Sequence, residues 1–370
     1  MENNKKSEVQ SRALNAWYKA GCRGTLEAAT AFGKTFSGIK AISYFVEKVN
    51  KDFKVLIVVP TVAIKDEWTK EFTKWKKTSI LKNNVIIECI NTARTFRKKK
   101  YDLLVADEIH NYINGEINSM LFKYNNFDKI LGLSASISND LLYSLEQIAP
   151  ICFTLDLNTA VELGLVSDFT VYNIAVDLST KEREEYRKLT SKIDYVKEAY
   201  GKQSWGLINK RKQLLYKSPV KLKYVKKITD SFEGKYGIVF SETKSSADKI
   251  AKYLGDSCIS HHSGYTNKKR KELLKSFSDG RTRITKISAA RTLDEGVTLP
   301  RLEYAVIATG SSKEKQQIQR VGRCIRLDKE GKQAIIVRLY FRNTVEENWV
   351  NNSQKNFNVI NIKSIEQIWN

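Results

Sequence analysis

Paired cysteines, long apolar runs and acidic residues are what this chain is short of. Five cysteines, at positions 22, 89, 152, 258 and 324, stand far apart with no CxxC pair. That excludes a zinc-finger arrangement and a disulfide framework, and it fits a reducing compartment. No apolar run approaches the roughly 18 residues of a membrane span; the most continuous, Val55 to Val59, ends at Pro60. The opening MENNKKSEVQ lacks the apolar core of a signal peptide. Acidic residues number 41 against 63 Lys and Arg, a net charge of +22. The expected partner is therefore a polyanion, nucleic acid ahead of a membrane surface. A lysine-rich coding bias would enrich glutamate as well, so it accounts for the lysine count rather than the imbalance.

The chain has 370 residues with 42% hydrophobic content, enough for two domains of ordinary size. Its organising stretch is Ala28 to Thr35, AATAFGKT. This fits the phosphate-loop pattern G-x-x-x-x-G-K-[ST] with Ala28 in the first glycine position. It lies between an apolar strand, Gly24 to Ala28, and a helix-like run from about Phe36. In such a loop backbone N–H groups point at phosphate oxygens, Lys34 reaches the β/γ-phosphates and the Thr35 hydroxyl helps hold Mg²⁺. Ahead of it, a predicted helix over Val9 to Ala20 carries Gln10 near its start. A glutamine amide both donates and accepts and so can read one edge of adenine.

Further strands are predicted at Lys54 to Val59, Val85 to Ile90, Asp102 to Ala106 and Lys129 to Leu133. They run into Pro60-Thr61, Asn91-Thr92, Asp107-Glu108-Ile109-His110 and Ser134-Ala135-Ser136 respectively. Strands alternating with helices predict a parallel sheet, whose ligands bind outside the carboxyl ends of the strands. At DEIH, Asp107 is placed to hold Mg²⁺ and Glu108 to orient or deprotonate an attacking water. An acidic pair at a strand end can instead cap the next helix; the phosphate loop upstream favours catalysis. His110 has no second histidine near it in sequence and reads as a hydrogen-bonding link to Ser134 and Ser136.

After Pro150 the pattern changes. The segment Val161 to Val176 reads as a linker, and Ser179 with Glu182 forms a capping box opening a long helix. Tyr186, Leu189, Ile193, Val196 and Tyr200 place one apolar face on that helix. The stretch Gly206 to Lys227 carries eight basic residues, Lys221 among them; an electrostatic track and a solvated basic helix fit it equally. A second α/β series follows, with strands at Tyr236 to Phe240, Cys258 to His261, Arg283 to Ser288 and Tyr304 to Ala308. Within it lie TLDEGVTLP, 292 to 300, and QQIQRVGRCIR, 316 to 326. Arg320, Arg323 and Arg326 share one helix face, a spacing suited to clamping phosphate.

In order, Gln10, AATAFGKT, VVPT, DEIH, SAS, GIVFSET, TLDEGVTLP and QRVGRCIR resemble the motifs of superfamily 2 helicases. Compact XPB-like and UvsW-type enzymes and restriction-enzyme helicase subunits are the most similar, from Gln10 to about Asn348. The resemblance implies an α/β fold of two RecA-like parallel-sheet domains in tandem, with ATP in the cleft between them and a helical insertion at the start of the second. The expected bounds are 1–165, 166–232 for linker and insertion, and 233–370. It assigns Gln10, Thr30, Gly33, Lys34, Thr35, Glu295, Gly296, Gln319 and Arg320 to nucleotide, and Thr35 and Asp107 to Mg²⁺. Lys34, Asp107, Glu108, Arg323 and Arg326 become the catalytic set, and His110, Ser134 and Ser136 couple hydrolysis to movement. Thr61, Thr92, Ser241 and Ser288 match nucleic-acid contacts. The implied activity is ATP-dependent translocation on DNA, single-stranded, forked or branched, with 3′-to-5′ unwinding in the cytoplasm of a bacterial or phage-infected cell. A duplex translocase that does not separate strands, an RNA helicase and a non-enzymatic DNA-binding protein are the alternatives.

Overall fold

The computed structural model describes residues 2–29, 32–96, 100–113, 118–124, 127–165, 169–290, 302–310, 334–353 and 358–369. The chain forms two compact units, Met1–Val166 and Ser167–Leu293 with Val297–Asn370. In the first, six strands make one sheet: β1 Arg23–Ala28, β2 Val55–Val59, β3 Val85–Cys89, β4 Leu103–Asp107, β5 Lys129–Ser134 and β6 Ile151–Leu155. Their order is β3-β2-β4-β5-β1-β6, and every pairing is parallel. β2 and β4 are buried at every position, as their unbroken VLIVV and LLVAD runs require of strands covered on both faces. Helices α1 (Glu2–Lys19), α2 (Lys34–Tyr44) and α3 (Val62–Lys74) belong to this unit. Trp17 anchors α1 by donating its indole N–H to the Ile130 carbonyl at 2.8 Å, which fixes where Gln10 lies.

The second unit holds β7 Phe169–Val176, β8 Gly237–Ser241, β9 Cys258–His261, β10 Lys286–Ala290, β11 Tyr304–Ile307, β12 Ala334–Phe341 and β13 Val359–Ile362. These form a parallel sheet ordered β13-β7-β12-β11-β8-β10-β9. The 161–176 segment is therefore no mere linker, because β7 pairs with β12 along eight positions, from Phe169↔Ala334 to Val176↔Phe341. Polar Thr170, Tyr172 and Asn173 break its apolar run and hide the strand. Asn173 and Arg338 face one another in register: Arg338 Nε donates to Asn173 Oδ1 at 2.8 Å, and Asn173 Nδ2 donates to Asn361 Oδ1 at 2.9 Å. A polar row thus crosses β12, β7 and β13.

Three helices follow β7: α4 Thr180–Tyr200, α5 Trp205–Lys217 and α6 Val220–Ser231. The Ser179–Glu182 capping box opens α4. Its apolar face buries Tyr186 and Ile193, whereas Tyr200, expected on the same face, is exposed at the helix end. Leu215 and Tyr216 of α5 and Val225 and Ile228 of α6 join the core around β8, β11 and β12. The stretch expected as linker and insertion thus supplies part of the second unit's own core. Helices Lys244–Leu254 (α7) and Asn267–Ser278 (α8) follow, each capped by a threonine, Thr243 and Thr266, and a further helix, Val345–Ser353 (α9), comes after β12. No helix among the described residues is long and apolar enough to cross a membrane.

Lys221 leaves the basic stretch for the interior. It is 4% exposed and meets the fully buried Glu346 at 2.6 Å, with its ammonium also 4.4 Å from the Phe341 ring centroid. Burial pushes the Glu346 carboxyl up from its ordinary value, against the opposing pull of Lys221. Glu346 also accepts from the Phe341 backbone N–H at 2.9 Å. Removing one partner strands the other's charge in a low-dielectric site. Lys221→Met is therefore expected to lower unfolding stability by about 3–5 kcal/mol, read by urea denaturation; a change under about 1 kcal/mol would contradict a desolvated pair.

Candidate active site

At the end of β1 the chain turns through the phosphate loop into α2. Gly33 has φ 87°, in the left-handed region, and the helix starts at Lys34 with no side-chain cap. A helix N-terminus of this kind presents its first N–H groups and the positive end of its dipole to an anion. A Cβ at Gly33 would lie 2.7 Å from Gln10 Nε2, so both backbone conformation and close approach demand glycine. Gln10 is buried, and its Nε2 donates to the Phe32 carbonyl at 2.7 Å. The glutamine from α1 is thereby tied to the loop itself. Lys34 Nζ donates to the Ala28 carbonyl at 3.3 Å, folding the lysine back over the loop, and Thr35 is half-buried beside it.

Lys34 Nζ also lies 3.9 Å from Glu108 Oε1, both side chains about nine-tenths buried. Parallel pairing of β1 with β5 and of β5 with β4 places all three strand ends on one edge. Glu108 sits at φ 53°, ψ 51°, a left-handed conformation that costs a non-glycine residue about 1–2 kcal/mol. The chain reverses there directly after β4, which keeps both carboxylates at the strand end. Asp107 is held from two sides: Trp68 Nε1 donates to Oδ2 at 2.8 Å, and the Tyr112 hydroxyl donates to the backbone carbonyl at 2.6 Å.

From Glu108 a chain of contacts runs to the end of β5. His110 Nδ1 is 3.5 Å from Glu108 Oε2 and 2.9 Å from Ser134 Oγ, whose own hydroxyl donates to the Ser136 carbonyl at 2.9 Å. Because the Ser134 proton is committed to that carbonyl, Nδ1 is the donor to Ser134. Glu27 Oε1 accepts from the Ile137 backbone N–H at 2.9 Å and holds the same loop to β1.

Thr61 and Thr92 are exposed beyond the ends of the paired strands β2 and β3. The Thr61 hydroxyl also caps α3, accepting from the Ile64 N–H at 3.4 Å. Ser241 and Ser288 differ. Ser241 is 1% exposed and bonds to the Thr243 and Ala289 carbonyls; Ser288 is fully buried inside β10. Neither hydroxyl is open to a nucleic-acid strand. The reason is register: β10 runs two residues beyond the expected end, so Ser288 is an interior position rather than a strand terminus. Thr30, Glu295, Gly296, Gln319, Arg320, Arg323 and Arg326 lie outside the described residues. Trp68 and Tyr112 were not expected as site residues. Nothing in the sequence around Trp68 marks it as a neighbour of Asp107.

An uncapped helix start, a lysine and two carboxylates on one edge of a parallel sheet, with a second parallel α/β unit in the same chain, define a nucleotide-hydrolysing protein of tandem RecA-like design. Residues 4–139 match the type III restriction enzyme res subunit family and residues 220–328 the helicase conserved C-terminal domain. The chain belongs to the superfamily 2 helicases, related to restriction-enzyme subunits, and hydrolyses ATP. Its relatives include "DNA 3'-5' translocase XPB2" of Sulfurisphaera tokodaii, 24% identical over 92% of this chain and 82% of that protein. "Putative DNA 3'-5' helicase Rad25" of Halobacterium salinarum is 27% identical over 42% of this chain and 25% of that one. Among solved structures, the Pyrococcus furiosus Hef helicase domain superposes with a TM-score of 0.59 at 15% identity, covering 95% of this chain and 97% of that one. S. cerevisiae Dbp5 bound to RNA and ADP BeF3 gives 0.63 at 16%, covering 96% and 89%. These structural likenesses establish the fold.

Gly33→Ala tests the loop geometry. The added methyl meets a left-handed backbone and the Gln10 amide together, a strain of about 1–2 kcal/mol. Nucleotide affinity, followed with a fluorescent ATP analogue, is expected to fall about tenfold, since 1.4 kcal/mol is one decade; unchanged affinity would show that the loop does not need this conformation.

Proposed function

We propose that this chain is a DNA motor that uses ATP hydrolysis to move 3′-to-5′ along one strand and to unwind duplex or branched DNA. The observation that carries it is the continuous line of contacts Lys34–Glu108–His110–Ser134, from the phosphate loop through the acidic pair to the loop after β5. An ATPase needs only the first two members; a motor needs hydrolysis reported to a neighbouring segment. The net charge of +22 and the DNA 3'-5' translocase among the relatives support DNA as the track.

In this reading Lys34 neutralises phosphate charge while Glu108, 3.9 Å away, orients the attacking water and takes its proton. Mg²⁺ fits the donor set: a carboxylate already oriented by an indole N–H, Asp107, and the first-turn hydroxyl Thr35 would hold it. When bound it supplies charge neutralisation at the phosphates. Gln10, fastened to the loop at Phe32, ties adenine recognition to loop conformation. Glu295, Gly296, Gln319 and Arg320 contribute to nucleotide binding, and Arg323 and Arg326 stabilise transition-state charge. Thr61 and Thr92 meet the DNA backbone, and His110, Ser134 and Ser136 transmit the state of Glu108. The match of residues 4–139 to a restriction-enzyme subunit favours one second reading, translocation along duplex DNA without strand separation.

The deciding experiment measures ATP turnover with no nucleic acid, single-stranded DNA, duplex, a fork and RNA, alongside a strand-displacement assay. DNA stimulation with displacement is the expected result. RNA stimulation above DNA would overturn the assignment of track, and stimulation without displacement would establish the duplex translocase. Glu108→Gln is expected to bind ATP normally and to lose nearly all turnover. Arg323→Ala is expected to cost about 10³-fold or more in kcat; near-normal hydrolysis in that variant would remove Arg323 from the site.

A further inference from the structure

Two buried tryptophans of the first unit solve the same problem differently. A buried indole N–H needs an acceptor. Trp17 takes a backbone carbonyl, that of Ile130 at 2.8 Å, which is the ordinary structural solution. Trp68 takes the carboxylate of Asp107, also at 2.8 Å. A hydrogen bond to a charged acceptor is worth roughly twice a neutral one, and it constrains the carboxylate as much as the indole.

The Trp68 ring touches the phosphate-loop helix as well. A Cβ on Gly38 would lie 2.6 Å from Trp68 Cη2 and 3.3 Å from Cζ3, so α2 and α3 approach this closely because position 38 is glycine. Gly38 stands one turn after Lys34. Trp68 is thus wedged between the helix carrying Lys34 and Thr35 and the strand carrying Asp107, and it is fully buried there. Its own helix begins at the exposed cap Thr61, seven residues or two turns earlier, about 10 Å of helix rise.

We propose that Trp68 is a positioning residue for the metal-holding carboxylate. Its N–H fixes the orientation of Asp107, and α3 makes that orientation depend on what Thr61 meets at the other end of the helix. A DNA backbone contact at Thr61 that shifts α3 moves the indole against Asp107, so the track acts on the metal site through one rigid element. This rests on the motor reading given above and adds the residue through which the track acts.

The test uses Mn²⁺ with ATPγS as the probe. Mn²⁺ binding to the full-length protein is titrated by electron paramagnetic resonance for the wild type, for Trp68→Phe and for replacement of Trp68 by benzothienylalanine. That near-isostere keeps the bicyclic ring and replaces the N–H donor by a sulfur that cannot donate; thermal melting checks that both variants are folded. Mn²⁺ affinity is expected to fall about 10- to 100-fold, the usual cost of losing a partner of a metal ligand. The factor by which DNA stimulates turnover is expected to fall with it, while the Kd for DNA stays unchanged. Wild-type Mn²⁺ affinity in the isostere overturns the positioning role. Weakened Mn²⁺ binding with full DNA stimulation overturns the link to Thr61 and leaves the positioning role standing. A wild type that binds no Mn²⁺–ATPγS overturns the motor reading itself.

Discussion

Parallel pairing of β1, β5 and β4 is the constraint on which the catalytic arrangement depends. Strands that run the same way end on the same edge, so once the sheet is paired the phosphate loop, the acidic pair and the SAS loop lie side by side. The register Glu27↔Ser134 and Asp107↔Leu133 brings the three termini level. Everything finer is local: a glycine at φ 87°, a glutamate forced left-handed at φ 53°, a histidine whose tautomer is set by a serine. Strain at Glu108 is tolerated because the five buried positions of β4 hold the segment before it.

The second unit is organised by buried polarity. Arg338, Asn173 and Asn361 make a row across three strands, and Lys221 and Glu346 join α6 to the first turn of the helix Val345–Ser353 that follows β12. Such groups give little net stability for their cost, but a misaligned neighbour would leave them unsatisfied. They act on register. A slip of one residue would turn Arg338 to the other face of the sheet, away from Asn173.

Much of the first unit was legible in the chain. Continuous apolar runs such as VLIVV read as buried strands, and turn and charge clusters mark their ends, which is where Lys34, Asp107, Glu108, His110 and Ser134 stand. What escaped did so for separate physical reasons. β7 and β12 carry Asn173 and Arg338 at their centres, and a polar residue in mid-strand ends an apolar run on paper while ending nothing in a sheet that supplies it a partner. Lys221 was counted with a basic surface because a charge run does not say which member turns inward. Ser288 was misplaced by a strand end two residues out, enough to exchange rim for interior. Trp68 was invisible as a site residue, since only the crossing of α2 and α3 at Gly38 puts its indole beside Asp107.

The pairing of β7 with β12 has a consequence for synthesis. Asn173 and Arg338 are 165 positions apart, so β7 leaves the ribosome long before its central neighbour exists. During that interval its N–H and C=O groups form an open edge flanked by apolar side chains, the geometry that invites pairing with a foreign strand. Contacts so distant in sequence also form slowly, because loop closure comes before any gain from them. Of the segments translated next, α4 to α6 carry the first core partners of β7, with Tyr186, Leu215 and Val225 in the same apolar cluster as Ile174 and Val176.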